Sequence, residues 1–253
     1  MGLSDPGNHI QQFRIFDSGI SSDPLDEIVH LLQLVAPSTD KQLIIAAHRD
    51  IADMFNGCYP GYRENNNKYH NLRHTFAVAL AAARVFHGLT VQGQTFSSRA
   101  VLKGMLSAYF HDTGLLLRPF DTAENGAEYT RGHEARSITA LAHYLESRHL
   151  DTDIKSDCGS IIRCTSIELD FQSIQFSSPE AKLVGQIVGT ADILAQMADR
   201  YYIEQLPHLY QERKAGGVLD HLSAFELMKE TASFYHDVII ERLATVLGDA
   251  GRA

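Results

Sequence analysis

Apolar residues recur along this chain mainly at three- and four-residue spacing, and strictly alternating runs are almost absent. This periodicity predicts amphipathic helices rather than strands. The segment 71–87 shows it clearly, with an apolar stripe made of Phe76, Ala77, Val78, Leu80, Ala81 and Val85. We expect that helix to begin near Asn71, capped by the asparagines of 65–67, and to stop at Gly88. Further helices are predicted over 21–36, 40–55, 97–114, 131–150, 177–206 and 223–247.

The segment 177–206 is predicted to be the longest helix of the chain. Ser178 can cap it, Pro179 suits the first helical position, and Glu180 lies in the first turn. The longest irregular segments are expected near 57–69, 115–128 and 167–178. We therefore predict an all-α fold class, with one helical domain over residues 21–253 and a peripheral N-terminal segment over residues 1–20.

Composition narrows the classes of function. The 253 residues are 44% hydrophobic and 21% charged, which is typical of a soluble globular protein with a large core. The formal net charge of -9 disfavours nucleic acid polymers and anionic membrane surfaces, because both would repel the protein at long range. A small anionic substrate is still allowed, since a metal ion and a few arginines can hold it.

The cysteines and the N-terminal sequence bear on location. The three cysteines include no CxxC pair, as expected for reduced thiols in a cytosolic protein. The first residues lack the basic and apolar regions of a signal peptide. The longest apolar run, within 74–86, is expected to be too short and too amphipathic to span a bilayer. We predict a cytoplasmic location.

Two histidines in the stretch NKYHNLRHTF raise a chemical question. His70 and His74 are four residues apart, so in a helix their imidazoles would be neighbours on one face. Such a pair can be two metal ligands, a ligand beside a proton donor, or two packed core residues. The spacing alone leaves all three alternatives open.

Three other segments interrupt apolar patterns with residues that can bind a metal. His111 and Asp112 follow a strongly apolar helix, Asp192 stands inside an apolar helix, and His133 precedes Glu134 in the stretch GHEARS. Buried acidic side chains need a partner or a cation. Each segment alone has an ordinary structural explanation. A His-Asp dipeptide also occurs at 236–237, and an isolated aspartate can pair with an arginine.

Taken together and in this order, the segments resemble the H…HD…D signature of the HD-domain metal-dependent phosphohydrolases. The stretch YHNLRH resembles the YHNxxH motif of the cyclic-nucleotide phosphodiesterase branch of that superfamily. The stretches IIRCTSI and GTADIL are similar to later segments of the same branch. The resemblance covers about residues 65–210 and implies an HD-domain helical bundle.

The resemblance also implies a role for each matching residue. His74, His111, Asp112 and Asp192 match the four protein ligands of a divalent metal ion, which could be Mg, Mn, Zn, Fe, Ni or Co. Asp112 matches a carboxylate that can bridge to a second ion, and His133 with Glu134 falls near a residue that holds solvent or that ion. His70 matches the acid that protonates the leaving oxygen, and Arg73 could stabilise charge on the transferred phosphoryl group.

The expected activity is hydrolysis of a phosphoester bond in a small phosphorylated or nucleotide-like substrate. The substrate class stays broad, because the chain lacks the GYP motif of the cyclic-dinucleotide enzymes, and the specificity glutamine of the cyclic-nucleotide enzymes cannot be placed. Two alternatives remain: a di-iron oxygenase of HD type, and a sensor that binds a metal or nucleotide without catalysis. A homodimer is left open.

Overall fold

The computed structural model describes residues 23–218 and 223–248, and within these ranges it contains helices and no strand. The helices are α1 (Leu25–Val35), α2 (Lys41–Phe55), α3 (Leu72–Val91), α4 (Ser98–Phe110), α5 (His133–Ser147), α6 (Thr152–Arg163), α7 (Pro179–Met197), α8 (Tyr202–Ala215) and α9 (Ala224–Phe234). Short 3-10 turns are formed by Thr113–Leu115, Gly126–Tyr129 and Phe171–Ser173, and π-helical segments by Tyr235–Ile239 and Arg242–Val246. The predicted all-α class is confirmed, and residues 1–20 lie outside the described residues.

Helix α3 is central to the core, where it packs against α1, α4 and α7. The helices approach closely at Gly104 of α4, because a Cβ atom there would lie 2.7 Å from the Phe86 ring and 2.9 Å from the Val184 side chain. Any larger residue at this position would push α4 away from α3 and α7. This packing fixes the three helices whose ends or central turns carry the predicted metal ligands.

Helix α3 begins near Asn71 as predicted, but its capping residue and its C-terminal end differ from the prediction. The cap is Asn71, whose side chain accepts a hydrogen bond from the backbone N–H of His74 at 3.2 Å, and not one of the asparagines of 65–67. The helix continues through Gly88 to Val91 and is followed by Gly93, which has a φ of 97°. A glycine adopts this left-handed backbone without strain, so Gly93 suits the chain reversal better than the helical Gly88.

The segment 177–206 is not one continuous helix. Ser178 caps α7 as predicted, accepting from Ala181 N at 3.0 Å, but α7 ends at Met197 and α8 begins at Tyr202. Between them the Asp199 side chain accepts a hydrogen bond from Tyr201 N at 2.9 Å. An aspartate that bonds the backbone two residues later stabilises a turn at the expense of the helix.

By length and composition alone, α3 is long and apolar enough to cross a membrane, contrary to the expectation from the sequence. Half of its most apolar window is buried within the protein. The cysteines are free; Cys158 and Cys164 are buried, and burial raises the pKa of both thiols to about 12.

Candidate metal centre

The start of α3 brings two histidines together by a turn as well as by helical spacing. His74 lies in the first turn of the helix, whereas His70 precedes the capping residue and is therefore not on a helical face. The backbone N–H of Asn71 donates to Tyr69 O at 2.9 Å, which folds the chain back at this point. The imidazole centroids of His70 and His74 consequently lie 5.8 Å apart.

His111 and Asp112 lie just beyond the C-terminus of α4, which ends at Phe110 and not near Gly114 as predicted. The Nδ1–H group of His111 donates to Ala108 O at 2.8 Å. Because a carbonyl oxygen can only accept, Nδ1 carries the proton, and Nε2 keeps a free lone pair when the ring is neutral. This arrangement prepares His111 Nε2 to bind a cation.

Asp192 reaches the same point from the middle of α7. Its Oδ1 lies 3.2 Å from His74 Nε2 and 3.6 Å from His111 Nε2. Asp112 Oδ2 lies 3.1 Å from His111 Nε2 and 3.6 Å from His74 Nε2. The four side chains predicted as ligands therefore converge, although they come from three separate parts of the fold.

The geometry and the chemistry of this cluster fit a divalent cation. Atoms bound to one such ion at ~2.1 Å lie ~3–4 Å apart, and the distances between the imidazole and carboxylate atoms are 3.1–3.6 Å. His111 Nε2 and Asp112 Oδ2 are buried and make no hydrogen bond. Buried polar atoms without a partner are costly, and a cation would satisfy both of these.

The electrostatics of the cluster favour positive charge. Burial by itself would raise the pKa of Asp112, but the nearby His111 and His70 outweigh it and hold that pKa well below its usual range. The pKa of Asp192 is also lowered, since its contacts with His111 and His74 outweigh burial. For His111, the attraction of Asp112 outweighs burial and raises the pKa well above 6.5. Two buried carboxylates thus remain anionic and attract a cation.

His133, at the start of α5, faces the other oxygen of Asp112. Its Nε2 lies 3.4 Å from Asp112 Oδ1, and its Nδ1–H donates to Thr130 O at 2.8 Å. His133 thus has the same orientation as His111, with Nε2 directed at the carboxylate. Glu134 lies behind the ring, with Oε2 at 3.6 Å from His133 Nδ1. Asp112 therefore lies between two histidine sites, one on each oxygen.

Glu212 of α8 is a site residue that the sequence did not reveal. Its buried carboxylate accepts hydrogen bonds from Tyr69 N at 2.6 Å, His70 N at 3.3 Å and His70 Nδ1 at 2.7 Å. Burial would lower the pKa of His70, but Asp112 and Glu212 together raise it. Glu212 thus fixes the orientation of the His70 ring through Nδ1. No local pattern marks this glutamate among the charged residues of a polar helix.

A small apolar cluster attaches α8 to the site. Leu206 and Leu209 of α8 are buried against Tyr69, with Tyr202 and Leu227 packed around them. The ring of Tyr69 in turn lies 4.8 Å from that of His70 and 5.7 Å from that of His74. Packing of α8 against this tyrosine therefore places Glu212 beside His70.

Arg73 is not part of the cluster. Its side chain is 59% exposed, its Nη2 bonds Asp199 Oδ1 at 3.0 Å, and its guanidinium lies 5.2 Å from the centre of the Tyr201 ring. The residue between two site histidines in YHNLRH thus points to the protein surface. A direct catalytic role for Arg73 stays a prediction.

No protein-family model, no curated protein and no solved structure matches this chain. The function must be inferred from the centre itself. Its strongest features are the group formed by His74, His111 and Asp112, the approach of Asp192 to both of these histidines, and the contact between His70 and Glu212.

Proposed function

We propose that this protein is a divalent-metal-dependent phosphohydrolase of the HD-domain type, acting on a phosphoester bond of a small phosphorylated or nucleotide-like substrate. The proposal rests on one observation above all. Four donor side chains suited to a divalent cation converge, and a further imidazole is held beside them by a buried carboxylate. Phosphoester hydrolysis needs a cation for the phosphoryl charge and an acid for the leaving oxygen.

The metal would be held by His74, His111, Asp112 and Asp192 through imidazole nitrogens and carboxylate oxygens. Two anionic and two neutral ligands suit several divalent ions, and Mg, Mn, Zn, Fe, Ni and Co all remain candidates. When bound, the ion supplies Lewis acidity towards the phosphoryl oxygens and lowers the pKa of a water nucleophile.

The chain itself would supply the proton for the leaving oxygen. His70 holds one proton on Nδ1, which is bound by Glu212, and in its charged form a second on Nε2. Burial lowers the pKa of His70, but Asp112 and Glu212 outweigh burial and raise it, which favours this charged form. Donation from Nε2 leaves a neutral ring that stays bonded to Glu212, so the acid keeps its position through the reaction.

The position of His133 supports one alternative, a centre with two metal ions. Because the two oxygens of Asp112 face different histidines, a second cation would fit between Asp112 and His133. An HD-type di-iron oxygenase would use such a pair, and iron content after aerobic purification would distinguish it. A binding sensor would take up metal without any turnover.

The test combines elemental analysis with hydrolysis of p-nitrophenyl phosphate, bis-p-nitrophenyl phosphate and nucleotides. Asp112→Ala and Asp192→Ala each remove an anionic ligand and should lose both metal and hydrolysis. The matched control is Asp237→Ala in the second His-Asp dipeptide, whose side chain is exposed; metal and activity should be retained. Full metal content and normal rates in the first two variants would refute the centre.

The nature of the partners follows from the same proposal. The net charge of -9 favours a small substrate over nucleic acid polymers or membrane surfaces. A homodimer and a cytoplasmic location stay predictions from the sequence.

A further inference from the structure

The turn that carries His111 and Asp112 lies outside any regular α-helix. The helix α4 ends at Phe110, and Thr113–Leu115 form a short 3-10 turn. Within the turn, Leu115 N donates to Asp112 O at 3.0 Å and Thr113 Oγ1 donates to Phe110 O at 2.8 Å. These local bonds set its shape but not its position relative to the rest of the centre.

Two residues of α5 bind the backbone of this turn from outside. The hydroxyl of Ser137, which is fully buried, donates to His111 O at 2.5 Å and accepts from Gly114 N at 2.8 Å. The guanidinium of Arg136 donates from Nε to Gly114 O at 2.8 Å and from Nη2 to Leu116 O at 3.3 Å. Four hydrogen bonds therefore connect α5 to the backbone on both sides of Asp112.

The side chain of Arg136 is itself held rigidly. Its Nη2 donates to Asp121 Oδ2 at 2.7 Å, and its guanidinium lies 3.7 Å from the centre of the Tyr129 ring. Asp121 is positioned by a hydrogen bond of 2.7 Å from Arg118 N. A planar guanidinium fixed on one side by a carboxylate and on its face by an aromatic ring can present its remaining N–H groups in one direction.

The turn also touches α5 directly, with no room between them. A Cβ atom at Gly114 would lie 2.0 Å from His133 O and 2.8 Å from Ser137 N. The same first turn of α5 carries His133, whose Nε2 faces Asp112 at 3.4 Å. The separation of His133 from the His111–Asp112 pair is therefore set by the contacts of Arg136, Ser137 and Gly114.

We propose that Arg136 and Ser137 are positioning residues that hold the His111–Asp112 turn in the geometry required for cation binding. They contact backbone atoms of the turn and no ligand atom. Groups that orient metal ligands typically change metal affinity by ~10–100-fold when they are removed. The inference rests on the proposed function, because it assumes a cation at the cluster.

The test compares Arg136→Ala and Arg136→Lys with Arg148→Ala in the full-length, metal-free protein. Arg148 lies at the C-terminus of α5 and has similar partners, an ion pair with Asp50 and the ring of Tyr144 at 5.0 Å. At 1.5 Å per residue it is ~18 Å from Arg136 along the helix. The thermal midpoint of each protein is measured before metal is added. Co²⁺ is then titrated into each protein, and the dissociation constant and the visible absorption of bound Co²⁺ are recorded.

Both Arg136 variants should bind Co²⁺ ~10–100-fold more weakly and with altered absorption bands, while Arg148→Ala keeps wild-type affinity even if its thermal midpoint falls. Lysine keeps the positive charge beside Asp121 but lacks the planar guanidinium with its several N–H donors, so it should not restore the affinity for Co²⁺. If Arg136→Ala does not fold, Arg136→Lys decides the question. Wild-type affinity in the folded Arg136 variants, or an equal loss in Arg148→Ala, would overturn the inference. Wild-type protein that binds no Co²⁺ would refute the metal centre as well.

Discussion

Replacement of His70 by alanine separates the acid from the metal ligands. The substitution removes one of three hydrogen bonds to Glu212, the 2.7 Å contact from Nδ1, and leaves the backbone donors of residues 69 and 70 in place. A hydrogen bond to a charged group contributes ~1.5–3 kcal/mol. Glu212 keeps two partners, so we expect the protein to fold with a loss of stability within that range.

The effect on rate should exceed the effect on stability. A general acid typically accelerates a reaction ~10²–10⁴-fold. This corresponds to ~2.7–5.4 kcal/mol of activation free energy at ~1.36 kcal/mol per factor of ten in rate. Metal content should stay near the wild-type value, because the ring of His70 is bonded to Glu212 and is not itself one of the four proposed ligands. In His74→Ala, by contrast, metal content and rate should fall together.

The assay measures kcat on two phosphodiesters, one with an alkoxide leaving group and one that releases p-nitrophenolate, with metal determined on the same preparations. The alkoxide substrate should show the full defect, whereas p-nitrophenolate departs without a proton and should show a much smaller one. His236→Ala, an exposed histidine, is the control. An equal defect on both substrates, or loss of metal in His70→Ala, would refute the acid role.

Two further predictions concern stability. Burial would lower the pKa of His133, but its hydrogen bond to Asp112 outweighs burial and raises the pKa from 6.5 to about 9. The resulting stabilisation is complete below pH 6.5 and is lost as pH rises through about 9. The thermal midpoint of the metal-free protein should therefore fall over that window, and it should fall less steeply in His133→Gln. A flat wild-type profile would contradict this. Gly114→Ala should cost ~1–3 kcal/mol or more in urea unfolding, because its Cβ would lie 2.0 Å from His133 O. Gly159→Ala in α6, where the nearest atom would be 3.4 Å away, should be tolerated, and equal losses in both would show that the close contact is not the cause.

The features of the fold that depend on residues close together in the sequence were largely predictable. The apolar stripes located the helices, and Ser178 was correctly assigned as the cap of α7. Errors arose where short polar side chains compete for the backbone. Asn71 caps α3 in place of the asparagines of 65–67, and Asp199 forms a turn that separates α7 from α8. Several nearby residues could have formed such bonds, and their local sequence does not distinguish between them.

The sequence by itself determined the helical class and the types of residue available for a metal centre, because helical periodicity is local and acidic or imidazole groups stand out in apolar helices. Only the tertiary structure decided which side chains meet. Packing of α8 on Tyr69 brings Glu212 to His70 across 142 positions of sequence, and packing of α5 brings Arg136 to the turn after α4. Contacts between distant segments depend on how the whole core packs. The same packing decides whether a given residue is exposed or buried.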